Sequence, residues 1–487
     1  MGIFSGVFPV FNSCNKYQGN TMGAIHDQAM QYVYQQVLQR LLERLTQGQR
    51  ASLQLLIQRL MVIAGGLECI HGLKVMLVHT GSQDSTHTLA FLRAAQLSLA
   101  ARSPGTFNLR VATARHTDMP AVVLSNIERA FAALVVHDDP RVELLMVDDG
   151  QVRPFDARQA ISRPQQQADR HAVLMAGHLT PGHPHLALTH RHYLDLADLH
   201  RLGAAWNGGV DVLVSGDPGP RRKRFLASAL RMMREVGLPR VRPVEAFPRA
   251  LFELACAVRQ EYRAPASVDG VAEKPEAPEP RSRMPRFIAV DDLVHDPSCG
   301  SGQLLLELLR YRHDEWSFAF PVTEPGNPLL RAHLQGLRSE FVDGRCYQDG
   351  LEDCLRRAQE GMQREQLPMA LREQLLGPWQ KADDLLQVRR LAGDFASQAF
   401  GASEAQLICL LFSPFVSQGR ALEGFLRRCH PGMVVALPYL HKALHGQPSS
   451  ESVVQWLTGT SGLPMATLQA LYRRKALIEA CADAPDH

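Results

Sequence analysis

Leu73-Lys74-Val75-Met76-Leu77-Val78-His79-Thr80-Gly81-Ser82-Gln83-Asp84-Ser85-Thr86 decides the fold class. The run Leu73 to Val78 suits a buried strand, Gly81 to Asp84 are turn residues, and Thr86 to Leu99 has helical periodicity. Strand, polar loop and helix in that order make an α/β unit. Upstream, Val33, Val37, Leu41, Leu45, Leu53, Leu56, Ile57 and Leu60 predict two amphipathic helices between Ala24 and Ala64. Downstream, Leu109 to Thr113 and Glu143 to Val147 read as strands, and Asp148-Asp149-Gly150 turns the second into a hairpin with Gln151 to Phe155.

The polar tract Arg163 to Asp169 marks a boundary, and a second α/β unit is expected beyond it. Its strands would be Ala172 to Met175, Val210 to Val214 and Val241 to Val244; its helices would be Leu194 to Trp206, Arg224 to Val236 and Pro248 to Tyr262. That alternation predicts a small doubly wound sheet. Pro265, Pro275, Pro278, Pro280 and Pro285 make 264–285 an extended linker. The last segment should hold helices at Leu304 to Arg310, Leu329 to Leu337 and Leu351 to Gln374, with strands at Leu407 to Phe412 and Val434 to Leu437. The expected division is a poorly ordered extension over 1–23, α/β domains over 24–162 and 170–263, the linker, and an α/β or α+β domain over 286–487.

The 487 residues allow two to four cores, and 45% hydrophobic with 21% charged residues is a globular composition. A net charge of +3 lacks the footprint of a dedicated DNA-binding domain. Nine cysteines without a C-x-x-C pair fit thiols in a reducing compartment. No apolar stretch approaches the roughly twenty residues of a spanning helix. Ile3 to Phe11 lacks the basic flank of a signal peptide, Gly6 breaks the myristoylation pattern, and Met22 is an alternative start.

Several segments carry possible chemistry. Arg221-Arg222-Lys223-Arg224 is either a phosphate contact or, as expected, a solvated helix face. His178, His183, His185, His190, His192 and His200 raise a metal site, but no acidic or cysteine partner stands at ligand spacing, so surface-loop histidines are expected. Asp217 follows the Val210 to Val214 strand, where a receiver domain carries its phosphoacceptor. Gly177-His178 and Glu245-Ala246 replace the receiver's acidic pair and lysine, which argues against phosphotransfer. Val78 to Ser85 distantly resembles the PP-loop of ATP pyrophosphatases, whose amides and serine hold pyrophosphate at a helix N-terminus. A strand-to-helix turn with a Ser or Asp N-cap explains the same residues and is expected.

Asp296-Pro297-Ser298-Cys299-Gly300-Ser301-Gly302 resembles the glycine loop of nucleic-acid methyltransferases. That resemblance implies S-adenosylmethionine against Asp296, Gly300 and Gly302, with Glu324 on its ribose after a strand at Phe318 to Val322. Phe412-Ser413-Pro414-Phe415 only echoes the amino-methyltransferase signature and lacks the Asn or Asp that would orient the target amine. A Gly-rich loop capping a helix is the plainer account.

The order of the units is similar to the BcsE family, cyclic-di-GMP-binding accessory proteins of bacterial cellulose secretion. His171 to Pro181, Val210 to Val214 and Arg242 to Leu251 resemble its receiver-like middle domain; Arg286-Phe287-Ile288-Ala289-Val290-Asp291-Asp292 resembles the start of its last. Arg389-Arg390-Leu391-Ala392-Gly393-Asp394 before Leu407 to Ser413 resembles a GGDEF-type turn before its strand. The resemblance implies degenerate NTPase-like and receiver-like doubly wound sheets, then an α+β GGDEF-like domain. It implies a non-enzymatic, cytoplasmic regulatory or scaffold subunit, peripheral at the inner membrane, with subunits of a polysaccharide synthase as partners. Cyclic-di-GMP would meet Arg389, Arg390 and Asp394 through an Arg-x-x-Asp motif; here Leu391 stands in the arginine's own place and Arg390 one residue before it. The alternative is a SAM-dependent nucleic-acid methyltransferase.

Overall fold

A computed structural model describes residues 16–103, 105–148, 150–180, 185–235, 246–258, 284–294, 303–312, 327–364, 369–380 and 385–474. It opens with α1 (Lys16–Arg44), so part of the expected N-terminal extension is helical, and α2 (Gln47–Ala64). Thr46 and Gln49 form a reciprocal capping box at the start of α2, and Gly65 at φ 88° ends it. The strand β1 (Lys74–Val78), helix α3 (Gln83–Ala100), strand β2 (Asn108–Ala114), helix α4 (Ala121–Ala133) and the hairpin β3 (Val142–Asp148) to β4 (Gln151–Pro154) come next, as the pattern predicts. Beyond them lie α5 (Arg163–Leu179), α6 (His185–Ala205), β5 (Val212–Ser215), α7 (Gly219–Glu235), α8 (Ala246–Glu253), β6 (Arg286–Ala289) and the short α9 (Asp291–Val294).

The strands make one six-stranded sheet in the order β4-β3-β2-β1-β5-β6. All neighbours are parallel except the β3–β4 hairpin. The expected second sheet is therefore corrected: β5 pairs with β1 (Val75 opposite Val212, Leu77 opposite Val214), and β6 pairs with β5. An isolated four-residue strand buried on both faces needs neighbours to satisfy its backbone, and β1 has a free edge to offer. The segment after the Pro-rich linker likewise adds a strand to this sheet rather than starting apart from it; the linker lies outside the described residues up to 283.

Three strand expectations fail. Ala172 to Met175 lies inside α5, which Ser162 caps and Pro164 starts, so the polar tract 163–169 is helical and not a break. Leu407 to Phe412 is the helix α14 (Glu404–Phe412), opened by a capping box of Ser403 and Gln406. Val434 to Leu437 runs from a 3₁₀ turn, Pro431–Ala436, into α16 (Leu437–Leu444). A fourth, Val241 to Val244, lies outside the described residues. Short apolar runs buried all round have no period that tells helix from strand. Among the described residues past Ala289 the chain is wholly helical, in place of the expected α+β arrangement: α10 (Pro328–Phe341), α11 (Tyr347–Arg364), α12 (Met369–Gln380), α13 (Leu385–Phe400), then α14, α15 (Leu422–Cys429), α16, α17 (Glu451–Ser461) and α18 (Met465–Arg473). No described helix is long and apolar enough to cross a membrane.

Two cores result. One joins α1, α2, α3, α4 and Leu304 to Tyr311 on one face of the sheet; the other joins α5 to α8 with α10 to α18. The helix α6 belongs to both layers. Its Leu199 and Ala204 pack with Met76, Ala112 and Leu213 on the second sheet face, while Tyr193, Leu194 and Ala197 enter the helical core. Gly203 permits this approach, since a Cβ there would lie 2.6 Å from Met76 Cε. The chain thus winds α3 and α4 on one face and α6 to α8 on the other, with β1 at the point of reversal.

The interior also holds neutral histidines. Burial pushes His178 down to about 3 and His79, His190 and His333 to about 4. Among the described residues neither ring nitrogen of His178 has a partner, and its ring packs 5.4 Å from that of Phe415. Below about pH 6.5 the unfolded chain takes up protons that these folded histidines refuse, so stability falls as pH drops from 6.5 towards 4. We expect His178→Leu to raise stability at pH 7.5 and to flatten the acid slope by about 1.4 kcal/mol per pH unit, read by urea unfolding between pH 4.5 and 7.5.

Candidate functional site

Ligands of doubly wound sheets bind beyond the carboxyl ends of the strands where the winding reverses. Here a cavity of about 310 Å³ opens there, beyond β1, β2 and β5. The β1 turn supplies Thr80, Gly81, Ser82 and Ser85. Gly81 has φ 73°, and a Cβ on it would meet Val123 Cγ1 at 2.5 Å, so both conformation and space call for glycine. Ser82 is the N-cap of α3, and the hydroxyls of Thr80, Ser82 and Ser85 lie 3.1–3.3 Å from one another. Three hydroxyls and the amino terminus of an eighteen-residue helix lie together at the cavity.

The β5 turn brings a second helix amino terminus to the same place. Gly216 lies against α3 so closely that a Cβ would sit 1.8 Å from Thr88 Oγ1. Arg221 Nη1 bridges Asp84 at 2.7 Å and Asp217 at 3.1 Å, and Arg222 Nη1 reaches Asp291 at 2.7 Å. Asp291, just past the carboxyl end of β6, also accepts the Gly219 N–H at 3.1 Å at the start of α7. Apolar and aromatic walls come from Tyr193, Leu196 and Leu199 of α6, with Phe225, Phe247 and Tyr311. Tyr193 and Phe225 meet edge to face at 4.9 Å.

Asp118 and His116 line the floor, and behind them lies a buried charge cluster. Arg191 of α6 donates to Asp118 at 2.7 Å and Asp169 at 2.9 Å, and lies 3.4 Å from Asp195. Asp195 is in turn 3.4 Å from His116 Nδ1. Burial raises the Asp118 carboxyl, but Arg191 beside it more than offsets this and leaves it below the usual range. Burial raises Asp169 too, and there Arg191 does not compensate, because Asp195 adds a like charge. Burial lowers Arg191, yet its three carboxylates outweigh that and raise it. Burial holds His192 at about 4 and lowers His200, whose Nδ1 bonds the Leu196 carbonyl at 2.8 Å.

The structure thus gathers Thr80 to Gln83, Ser85, Asp217, Arg221, Arg222, His192 and His200 at one cavity. Arg221 and Arg222 leave the expected solvated face; Lys223 and Arg224 keep it. The surface-loop expectation for the histidines is corrected: His178, His190 and His200 are buried on helices, and no group of three metal-ligating side chains exists among the described residues. The expected GGDEF-type turn is also corrected. Arg389, Arg390 and Asp394 lie along α13, where Arg389 is bonded bidentately by Glu404 at 2.6 and 2.9 Å and by Glu340 at 2.9 Å, over the Tyr347 ring. Arg390 and Asp394 are exposed one turn apart. Asp296, Gly300, Gly302 and Glu324 lie outside the described residues, and the strand before the glycine string, β6, is an edge strand followed by α9.

Arg191, Asp118, Asp169, Asp195 and His116 escaped the reading of the sequence. The i, i+4 pair Arg191–Asp195 and the polar turn 115–120 after β2 were the available signals. Compared with protein-family models, curated proteins and solved structures, the chain matches none. Removing the arginine leaves buried like charges unopposed, so Arg191→Met should cost about 3–5 kcal/mol in urea unfolding. Asp169→Asn should cost less, because the amide oxygen can still accept from Arg191 and burial already raises that carboxyl.

Proposed function

We propose that the chain is a non-enzymatic regulatory subunit that binds a phosphate-bearing nucleotide in the crevice beyond β1, β2 and β5. The observation that carries this reading is the meeting of two helix amino termini, α3 and α7, with Arg221 and Arg222 at a single reversal point of the sheet. Asp84, Asp217 and Asp291 hold the two guanidiniums in place without covering them, and a phosphate competes for the same donors. The aromatic wall suits the planar body of a base.

The resemblance of individual segments to BcsE, without the separate receiver-like and GGDEF-like domains it implies, is the ground for the rest of the proposal: a cytoplasmic protein working with the subunits of a bacterial cellulose or related exopolysaccharide synthase, with cyclic-di-GMP as a ligand. Arg389 is a poor second location for that ligand, since its donors are already spent on Glu340 and Glu404. The alternative, a methyltransferase with S-adenosylmethionine at Asp296, Gly300, Gly302 and Glu324, draws on the glycine string.

Isothermal titration with cyclic-di-GMP, nucleoside diphosphates and S-adenosylmethionine tests these readings. We expect saturable nucleotide binding that Arg221→Ala weakens by about 10-fold or more and Arg389→Ala leaves unchanged. Loss with Arg389→Ala alone would move the site to α13. Binding of S-adenosylmethionine without nucleotides would favour the methyltransferase.

A further inference from the structure

Resting on the crevice as a nucleotide site, we propose that Asp118 makes it selective for guanine nucleotides. The two ends of the cavity differ chemically. Donors cluster at Ser82 and Arg221, whereas the floor offers an acceptor in Asp118. Asp118 spends Oδ1 on Arg191, and among the described residues nothing else donates to its carboxylate. Arg191 keeps that carboxylate ionised, so it accepts and cannot donate.

Each carboxylate oxygen has two lone pairs, so Oδ2 together with the remaining lone pair of Oδ1 can accept two adjacent N–H groups. Guanine presents two, N1–H and the 2-amino group, side by side on its pairing edge. Adenine and cytosine present an amino group beside a ring nitrogen whose lone pair would face the carboxylate, and uracil a single N–H between carbonyls. The charge at the cavity wall points the same way: of the three carboxylates around Arg191 only Asp118 lines the cavity, and it draws in a donor edge and repels an acceptor edge. Tyr193 and Phe225 supply apolar wall for the rings.

Titration of the full chain with guanosine, adenosine and xanthosine diphosphates tests this. The native protein should prefer the guanosine form by about 10- to 100-fold, the range of one charge-assisted contact. Asp118→Asn should lose that preference and gain the xanthosine form, whose C2 carbonyl accepts from the new amide. A gain of binding cannot come from misfolding, and circular dichroism checks the fold. Equal affinity of the native protein for guanosine and adenosine forms, or an unchanged guanosine affinity in Asp118→Asn, would overturn the assignment. Absence of all nucleotide binding would instead overturn the crevice reading beneath it, whereas an Arg221→Ala variant weakened equally for every base would uphold that reading on its own.

Discussion

The guanidinium of Arg191 is the constraint on which the arrangement turns. It lies on α6 and reaches into the turn after β2 through Asp118 and into α5 through Asp169. One side chain thus fixes how the helical body meets the sheet. Arg110 completes the clamp from β2, donating to the carbonyls of Gly203 at 2.9 Å and Trp206 at 2.8 Å at the other end of α6. Burying so much charge gains little stability over an apolar contact, but it admits few alternative geometries. The interface is specified more than it is strengthened.

A second buried ion pair plays the same part on the opposite face. Arg93, fully buried on α3, bonds Asp139 at 2.7 Å, Gln96 at 2.6 Å and the carbonyls of Leu134 and Val135. It seats α3 against the segment between α4 and β3. The helix that offers its amino terminus to the crevice is therefore anchored near its middle, and the turn before it inherits that rigidity. Donors held in place before a ligand arrives lose little entropy on binding.

The first α/β unit was legible because its signals were local. The apolar run Leu73 to Val78, the glycine turn and the Asp-Gly hairpin each need only a few neighbouring residues to be read. The assembly of β5 and β6 onto β1 was not, since nothing within four residues says which edge a strand will join. Leu407 to Phe412 failed for another reason: it is buried between α5 and the helices around it, so its polar side, the mark of a surface helix, is missing. At the site, the polar turns after β1 and β5 announced themselves. The floor did not, because Asp118, Asp169 and Arg191 come from three segments that only the fold brings together.

The order of the strands has a consequence for how the chain is made. The edge of β1 that faces β5 stays open until Val212 to Ser215 emerge, over a hundred residues later in synthesis, and β5 in turn waits for Arg286 to Ala289. Until then a nascent chain carries an apolar strand with an unpaired row of backbone groups, the kind of edge to which other chains attach. Closing such distant pairs is slow. Shielding of that edge during translation is thus part of what this topology demands, and a chain cut before residue 289 would leave the ribosome with its sheet unfinished.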